Sequence, residues 1–203
     1  MTGIQALERE FPHQAQKPGQ VERIEFNYIR HGTLSLIATW HVGLGQVLCP
    51  YLGPTRTEAD FAAHIEEVID TDPSGSWCFI VDQLNTHKSE TLVRLVAKRE
   101  NLEANLGEKG KLGILKSMAT RREFLSAPQR RIRFIYLPKH TSWLNQIECW
   151  FSILVRRLLK RGNFTSTMDL QKQIEAFIDY FNRRLAQPFN WKFKGFEKAC
   201  NTG

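Results

Sequence analysis

Apolar positions along the chain change their spacing several times, and each change marks an element. Residues 24–30 alternate loosely and residues 33–42 are rich in Thr, Leu, Ile and Trp; Gly43-Leu44-Gly45 then turns the chain into a second strand from Gln46, which predicts a hairpin. Thr57 with Asp60 three residues on has the form of a capping box, and Phe61, Ile65, Val68 and Ile69 recur at helical spacing as far as the breaker Asp72-Pro73-Ser74-Gly75. Trp77, Cys78, Phe79, Ile80 and Val81 are a continuous apolar run, the pattern of a strand buried on both faces, and it ends in Asp82. A helix with Leu92, Leu95 and Val96 follows from Ser89 and loses its pattern at about Lys98. Residues 132–137 predict another buried strand, stopped by Pro138. Trp143, Ile147, Trp150, Phe151, Leu154 and Leu158 then form one helical stripe, with Ser142 as the expected N-cap. A last helix starts near Ser166 or Thr167, carries Leu170, Ile174, Phe177, Ile178, Phe181 and Leu185, and ends at Pro188.

The remaining stretches lack such periods. Residues 1–23 are polar and contain Pro12 and Pro18, so they read as a loop or arm. Residues 101–131 are broken by Gly107, Gly110 and Gly113 and carry more Lys and Arg than Glu; they read as a basic insertion, either a clamp on nucleic-acid phosphates or a solvated surface loop. The aromatic and basic tail from Phe189 reads as packing on the domain or touching nucleic acid.

At 203 residues, one domain covering 1–203 with a sizeable core is expected. Lys and Arg number 28 against 21 Asp and Glu, a net charge of +7, which favours a polyanionic partner. Cys49, Cys78, Cys149 and Cys200 are widely separated, form no C-x-x-C pair, and two of them sit in apolar runs where Cys packs as a small hydrophobe; a reducing cytosol fits this usage. The sequence has no long apolar segment for a membrane and no signal-peptide pattern at its first residues.

Two carboxylates carry the candidate chemistry. Asp82 stands where a strand leaves the core, the end of an open α/β sheet at which ligand-binding loops converge. Glu148 falls beside the apolar stripe of its helix, which predicts a carboxylate at the edge of the core; alone, it reads sooner as an edge Glu paired with Lys139 or an arginine. Together the two acids suit a hard divalent cation, which prefers oxygen ligands. Asn145, three residues before Glu148, is placed to orient that carboxylate or to cap the helix. Asn85, His87 and Lys88 follow Asp82 closely enough to orient water or phosphate, or to cap the next helix. Lys139, His140, Arg156, Arg157, Lys160 and Arg161 flank the Glu148 helix as phosphate contacts or as a solvated charged face.

The segments VDQLNTHKSE and PKHTSWLNQIECWFSILVRRLLKRGNF closely resemble the catalytic core of bacterial insertion-sequence transposases of the mariner-related superfamily, and the likeness runs over nearly the whole chain. The resemblance implies a ribonuclease H-like α/β fold, a mixed sheet flanked by helices. It also implies an Asp-Asp-Glu triad in which Asp82 is the second acid and Glu148 the third, binding two Mg²⁺ or Mn²⁺ ions about 3.5–4 Å apart. In this family the first acid lies on the first strand, directly before a segment like Thr2-Gly3-Ile4-Gln5-Ala6-Leu7-Glu8, so that strand is expected to be largely missing and the triad incomplete. The expected partners are DNA, as transposon ends and target, and a second copy or an upstream transposase fragment. The expected location is the cytoplasm, on the nucleoid when bound to DNA. Three functions compete: a transposase that cleaves and joins strands but is inactive without the first acid, a non-catalytic DNA-binding or inhibitory remnant, and a ribonuclease H-like nuclease unconnected with transposition.

Overall fold

Strand β2 runs from Tyr28 to His41 and is long enough to serve two neighbours in succession. Its first half pairs antiparallel with β1 (Ile4–Arg9), from Arg9↔Tyr28 to Ile4↔Leu34 with a bulge between Gln5 and Leu7. Its second half pairs antiparallel with β3 (Gln46–Gly53), from Ser35↔Gly53 to His41↔Gln46. The hairpin thus forms at the glycine turn, where Gly45 takes φ +66°. The molecule is seen in a computed structural model that describes residues 1–10, 27–102, 105–139, 141 and 144–190.

The opening residues depart from the loop expected for them. Ile4 and Ala6 are buried, and Met1 exchanges both backbone hydrogen bonds with Leu36 (2.8 and 2.9 Å), extending the pairing past β1 itself. Six residues are too few to display a period above the polar background of residues 1–23; pairing along β2 decides their conformation.

Helix α1 (Glu58–Asp70) starts at the expected capping box, Thr57 with Asp60. Strand β4 (Trp77–Val81) pairs in parallel with β5 (Ile132–Tyr136), and between them lie α2 (Glu90–Arg99), capped by Ser89, and α3 (Met118–Leu125). Helix α4 (Gln146–Leu154) continues into a π turn (Val155–Leu159), and α5 (Thr167–Arg184) closes the described chain under its Ser166 cap. Antiparallel and parallel strands flanked by helices give the mixed α/β arrangement of a ribonuclease H-like fold.

Two apolar cores lie within it. One joins Leu36, Trp40 and Val47 to Trp150 and Leu154 of α4 and to Leu170, Ile174, Ile178 and Phe181 of α5. The other joins α1, α2 and α3 to the inner face of β4 and β5 through Phe79, Val81, Ile132 and Phe134. The opposite face of this strand pair corrects the expectation of double burial. Cys78 is exposed, Ile80 is 46% and Ile135 47% exposed, because among the described residues no element packs there.

Two further expectations change. The second half of the basic stretch is not a solvated loop: Leu115, Phe124 and Leu125 are buried in the α1–α2 core, and Arg130 lies over the Phe124 ring and pairs with Glu100. Helix α4 is capped by Asn145, whose side chain accepts from the Ile147 amide, three residues beyond the expected cap; Ser142 and Trp143 lie outside the described residues. In the tail, Phe189 stacks on Trp40 with ring centres 4.5 Å apart, which gives that residue a packing role; the chain from 191 lies outside the described residues.

Candidate active site

Where β2 runs on past Leu36 it has no described neighbour on the β1 side, and β4 has none on the side away from β5. These two open edges face one cavity of about 610 Å³, lined by residues 36–43 of one and 77–82 of the other. Met1, Asp82 and Glu148 also line it.

Asp82 follows the last residue of β4 and is about half buried. One carboxylate oxygen is 2.8 Å from His87 Nδ1 and accepts the Leu84 amide at 3.0 Å. Burial opposes its ionisation, but the His87 hydrogen bond, the Leu84 amide and the charges of His87 and Arg56 outweigh it and hold the carboxyl below its usual value. His87 is held in turn, its ring against Phe61 and its carbonyl accepting the Tyr136 hydroxyl at 2.7 Å. That arrangement keeps Asp82 anionic and fixes one of its carboxylate oxygens.

Glu148 occupies the first turn of α4 and lines the same cavity. Its neighbours Ile147 and Trp150 are buried while Glu148 itself is exposed, so the helix is anchored by its stripe and presents the carboxylate outward, more openly than an edge position predicts. Among the described residues no cation pairs with it, so the ion pair with Lys139 or an arginine is not formed. Arg156 is closest in kind to that partner: it lines a smaller hollow with Met1 and Glu148, but its Nε donates to the Ser152 carbonyl. The Met1 amino group senses both acids. Burial pulls its pKa down, Glu148 and Asp82 oppose that shift, and Arg56 adds to it.

Asn145 takes the capping role, with its side chain on the Ile147 amide and its carbonyl accepting the Glu148 amide at 3.0 Å. Lys139, Arg156, Arg157, Lys160 and Arg161 are exposed, the last four along the π turn and just beyond it; His140 lies outside the described residues. Asn85 begins the short 3-10 turn ending at Lys88 and is exposed. Arg56 is the contributor that sequence reading missed, since nothing in Pro54-Thr55-Arg56 announces a contact made only in the folded chain.

The donor set fits a hard cation in kind but is short in number. Asp82 and Glu148 offer carboxylate oxygens, yet among the described residues no group of three His, Cys, Asp or Glu side chains could hold a metal ion. No helix of the described residues is long and apolar enough to cross a membrane.

A family model described as DDE superfamily endonuclease matches residues 2–171. Neither the curated proteins nor the solved structures give a match.

Proposed function

The chain belongs to the DDE superfamily endonuclease family, and from that premise we propose that it is the catalytic domain of an insertion-sequence transposase of the mariner-related kind, acting on DNA. What supports the reading is that Asp82 and Glu148, from different elements, line one cavity, each within electrostatic reach of Met1. On this reading they are two of three metal-binding acids. The third is not found beside them among the described residues; the family resemblance puts it on a strand directly before a segment like Thr2-Gly3-Ile4-Gln5-Ala6-Leu7-Glu8, which a form extended upstream tests.

Endonucleases of this type use divalent metals; Mg²⁺ or Mn²⁺, held by Asp82 and Glu148, would activate the attacking oxygen and stabilise the leaving one. The protein's own part is placement. His87 and the Leu84 amide fix one oxygen of Asp82, and the Asn145 cap with the buried Trp150 fixes the turn bearing Glu148. Water adding to a phosphorus displaces the 3′-oxygen and frees a 3′-hydroxyl, which then attacks a phosphorus of target DNA and displaces that strand's own 3′-oxygen. Lys139, His140, Arg156, Arg157, Lys160 and Arg161 bind phosphates along the approach.

The test is metal-dependent nicking of a transposon-end duplex by this chain and by a form extended upstream by one strand, each with Asp82→Asn and Glu148→Gln. The extended form is expected to nick, and each substitution to remove at least about a hundredfold of that rate. Nicking by the unextended chain would mean that two acids suffice. DNA binding by both forms, without cleavage by either, would favour the non-catalytic remnant, a reading that the two-acid donor set also supports. Cleavage that ignores element ends would favour a nuclease outside transposition.

A further inference from the structure

Beside the carboxylate cavity, three cations converge on the end of β5. Lys88 closes the 3-10 turn after Asp82, Arg122 sits in α3, and Lys139 follows Pro138. Lys88 Nζ and Arg122 Cζ lie 5.4 and 5.3 Å from the centre of the same ring, that of Tyr136. That ring is a fixed platform: Tyr136 is 7% exposed and its hydroxyl is tied to the His87 carbonyl. Lys88 is tethered further, donating to Gln83 Oε1 at 2.9 Å, while the Gln83 amide donates to the Leu137 carbonyl. Lys88 and Arg122 also share a hollow of about 480 Å³ with Met118, Ala119, Glu123 and Ser126.

Like charges gathered this way repel unless an anion lies among them. Burial and then the charges of Arg122 and Lys139 pull the Lys88 ammonium below its ordinary pKa, with Asp82 opposing. Glu123 lines the hollow, yet among the described residues no carboxylate forms an ion pair with any of the three cations. A solvated charged face would let these side chains splay apart. Here the ring and the Gln83 tether hold two of them toward one hollow.

We infer that Lys88, Arg122 and Lys139 form a seat for one backbone phosphate of the DNA strand that leads to Asp82. This rests on the DNA-processing reading above and adds to it a strand path across the end of β5, on the far side of Asp82 from α4. The forked guanidinium of Arg122 grips two phosphate oxygens, and the ammonium groups add charge, Lys88 from the turn after Asp82 and Lys139 from the segment after β5. It also gives the basic stretch its role: α3 buries Phe124 and Leu125 in the core and holds Arg122 outward.

The test is binding of a 20-base-pair duplex of arbitrary sequence, followed by fluorescence anisotropy in EDTA across a salt series, so that no catalytic step contributes. The variants are Arg122→Ala with Lys139→Ala, Arg122→Lys alone, and Lys172→Ala on α5 as a control. Arg122 and Lys139 are exposed, and melting temperatures check that each variant is folded. The double variant is expected to bind about tenfold more weakly, with a salt slope shallower by about one. Arg122→Lys keeps the charge but loses the fork, so it should weaken binding by about threefold at an unchanged slope, while the control keeps all of its affinity. If the parent binds and the double variant matches it within about twofold at an unchanged slope, the phosphate seat is wrong while the DNA reading stands. If the parent does not bind the duplex at all, the DNA reading fails and the seat with it.

Discussion

His64 is a histidine enclosed by polar contacts on both ring nitrogens. Nδ1 donates to the Cys49 carbonyl at 2.9 Å, and Nε2 accepts from the Thr39 hydroxyl at 2.8 Å. Burial pulls the imidazole down to about 4, against a small opposing pull from the Cys49 carbonyl, while an unfolded histidine titrates near 6.5. Between those values the unfolded chain binds the additional proton, so stability must rise with pH there and fall as the solution is acidified. The loss between pH 7.5 and 5 should be about 2 kcal/mol, read from urea unfolding at both pH values, and His64→Gln should flatten it. Asp60 and Asp169 are depressed carboxyls whose contribution is lost below their ordinary 3.8, outside this window. An unchanged slope in His64→Gln would mean that other groups carry it. In the sequence His64 was one more residue of an amphipathic helix; its two partners come from β2 and β3, and only the fold brings them to it. Asp82 and Glu148 were legible for the opposite reason, since each is placed by its own element, one at a strand end and one beside a helix stripe. What that reading could not supply was the setting of Asp82, because His87 turns back on it through a 3-10 turn and Arg56 arrives from the loop before α1.

Elements with a full period were legible, and those defined by their neighbours were not. Helices α1, α2 and α5 carry their caps and stripes in the sequence, and the hairpin announces itself through Gly43-Leu44-Gly45. Strand β1 was hidden because its partner edge on β2 decides it, and α3 because the glycines before it suggest a loop while its burial rests on Phe124 and Leu125. The cap of α4 was misplaced for a related reason: Ser142 and Asn145 both suit the position, and the helix starts at the later one. The hairpin turn also does more than its sequence announces. Gly45 has φ +66°, and a Cβ there would overlap the backbone of Gln187 and Pro188, where the chain leaves α5. Gly45→Ala should therefore both strain the turn and push that segment from Trp40, on which Phe189 stacks, at a cost of about 2 kcal/mol in chemical denaturation. A cost under about 0.5 kcal/mol would mean that the segment moves aside freely.

At the scale of the whole molecule, the cavity that joins the two acids also separates the two cores. The α4–α5 core contains no buried residue of β4 or β5, and the α1–α2–α3 core contains none of α4 or α5. Contact between them runs through α1, against which Ile37, Leu48 and Cys49 from the other face of β2 and β3 pack, with His64 bonding to both strands. A single helix and its polar pins make a narrower junction than a continuous five-stranded sheet would. Local stability should follow that division. Ile174 is fully buried in the α5 core, so Ile174→Ala should cost about 2–5 kcal/mol there. Native-state hydrogen exchange should register the full loss in the slow amides of β1–β3 and α5, and a smaller one in β5 and α2, whose core closes without α5. Equal losses in both sets would mean that α1 couples the cores into one cooperative unit. In the divided case, a strand lying in the cavity and pairing with both open edges would merge the two responses, so repeating the measurement on the upstream-extended form tests the proposed first strand independently of any cleavage.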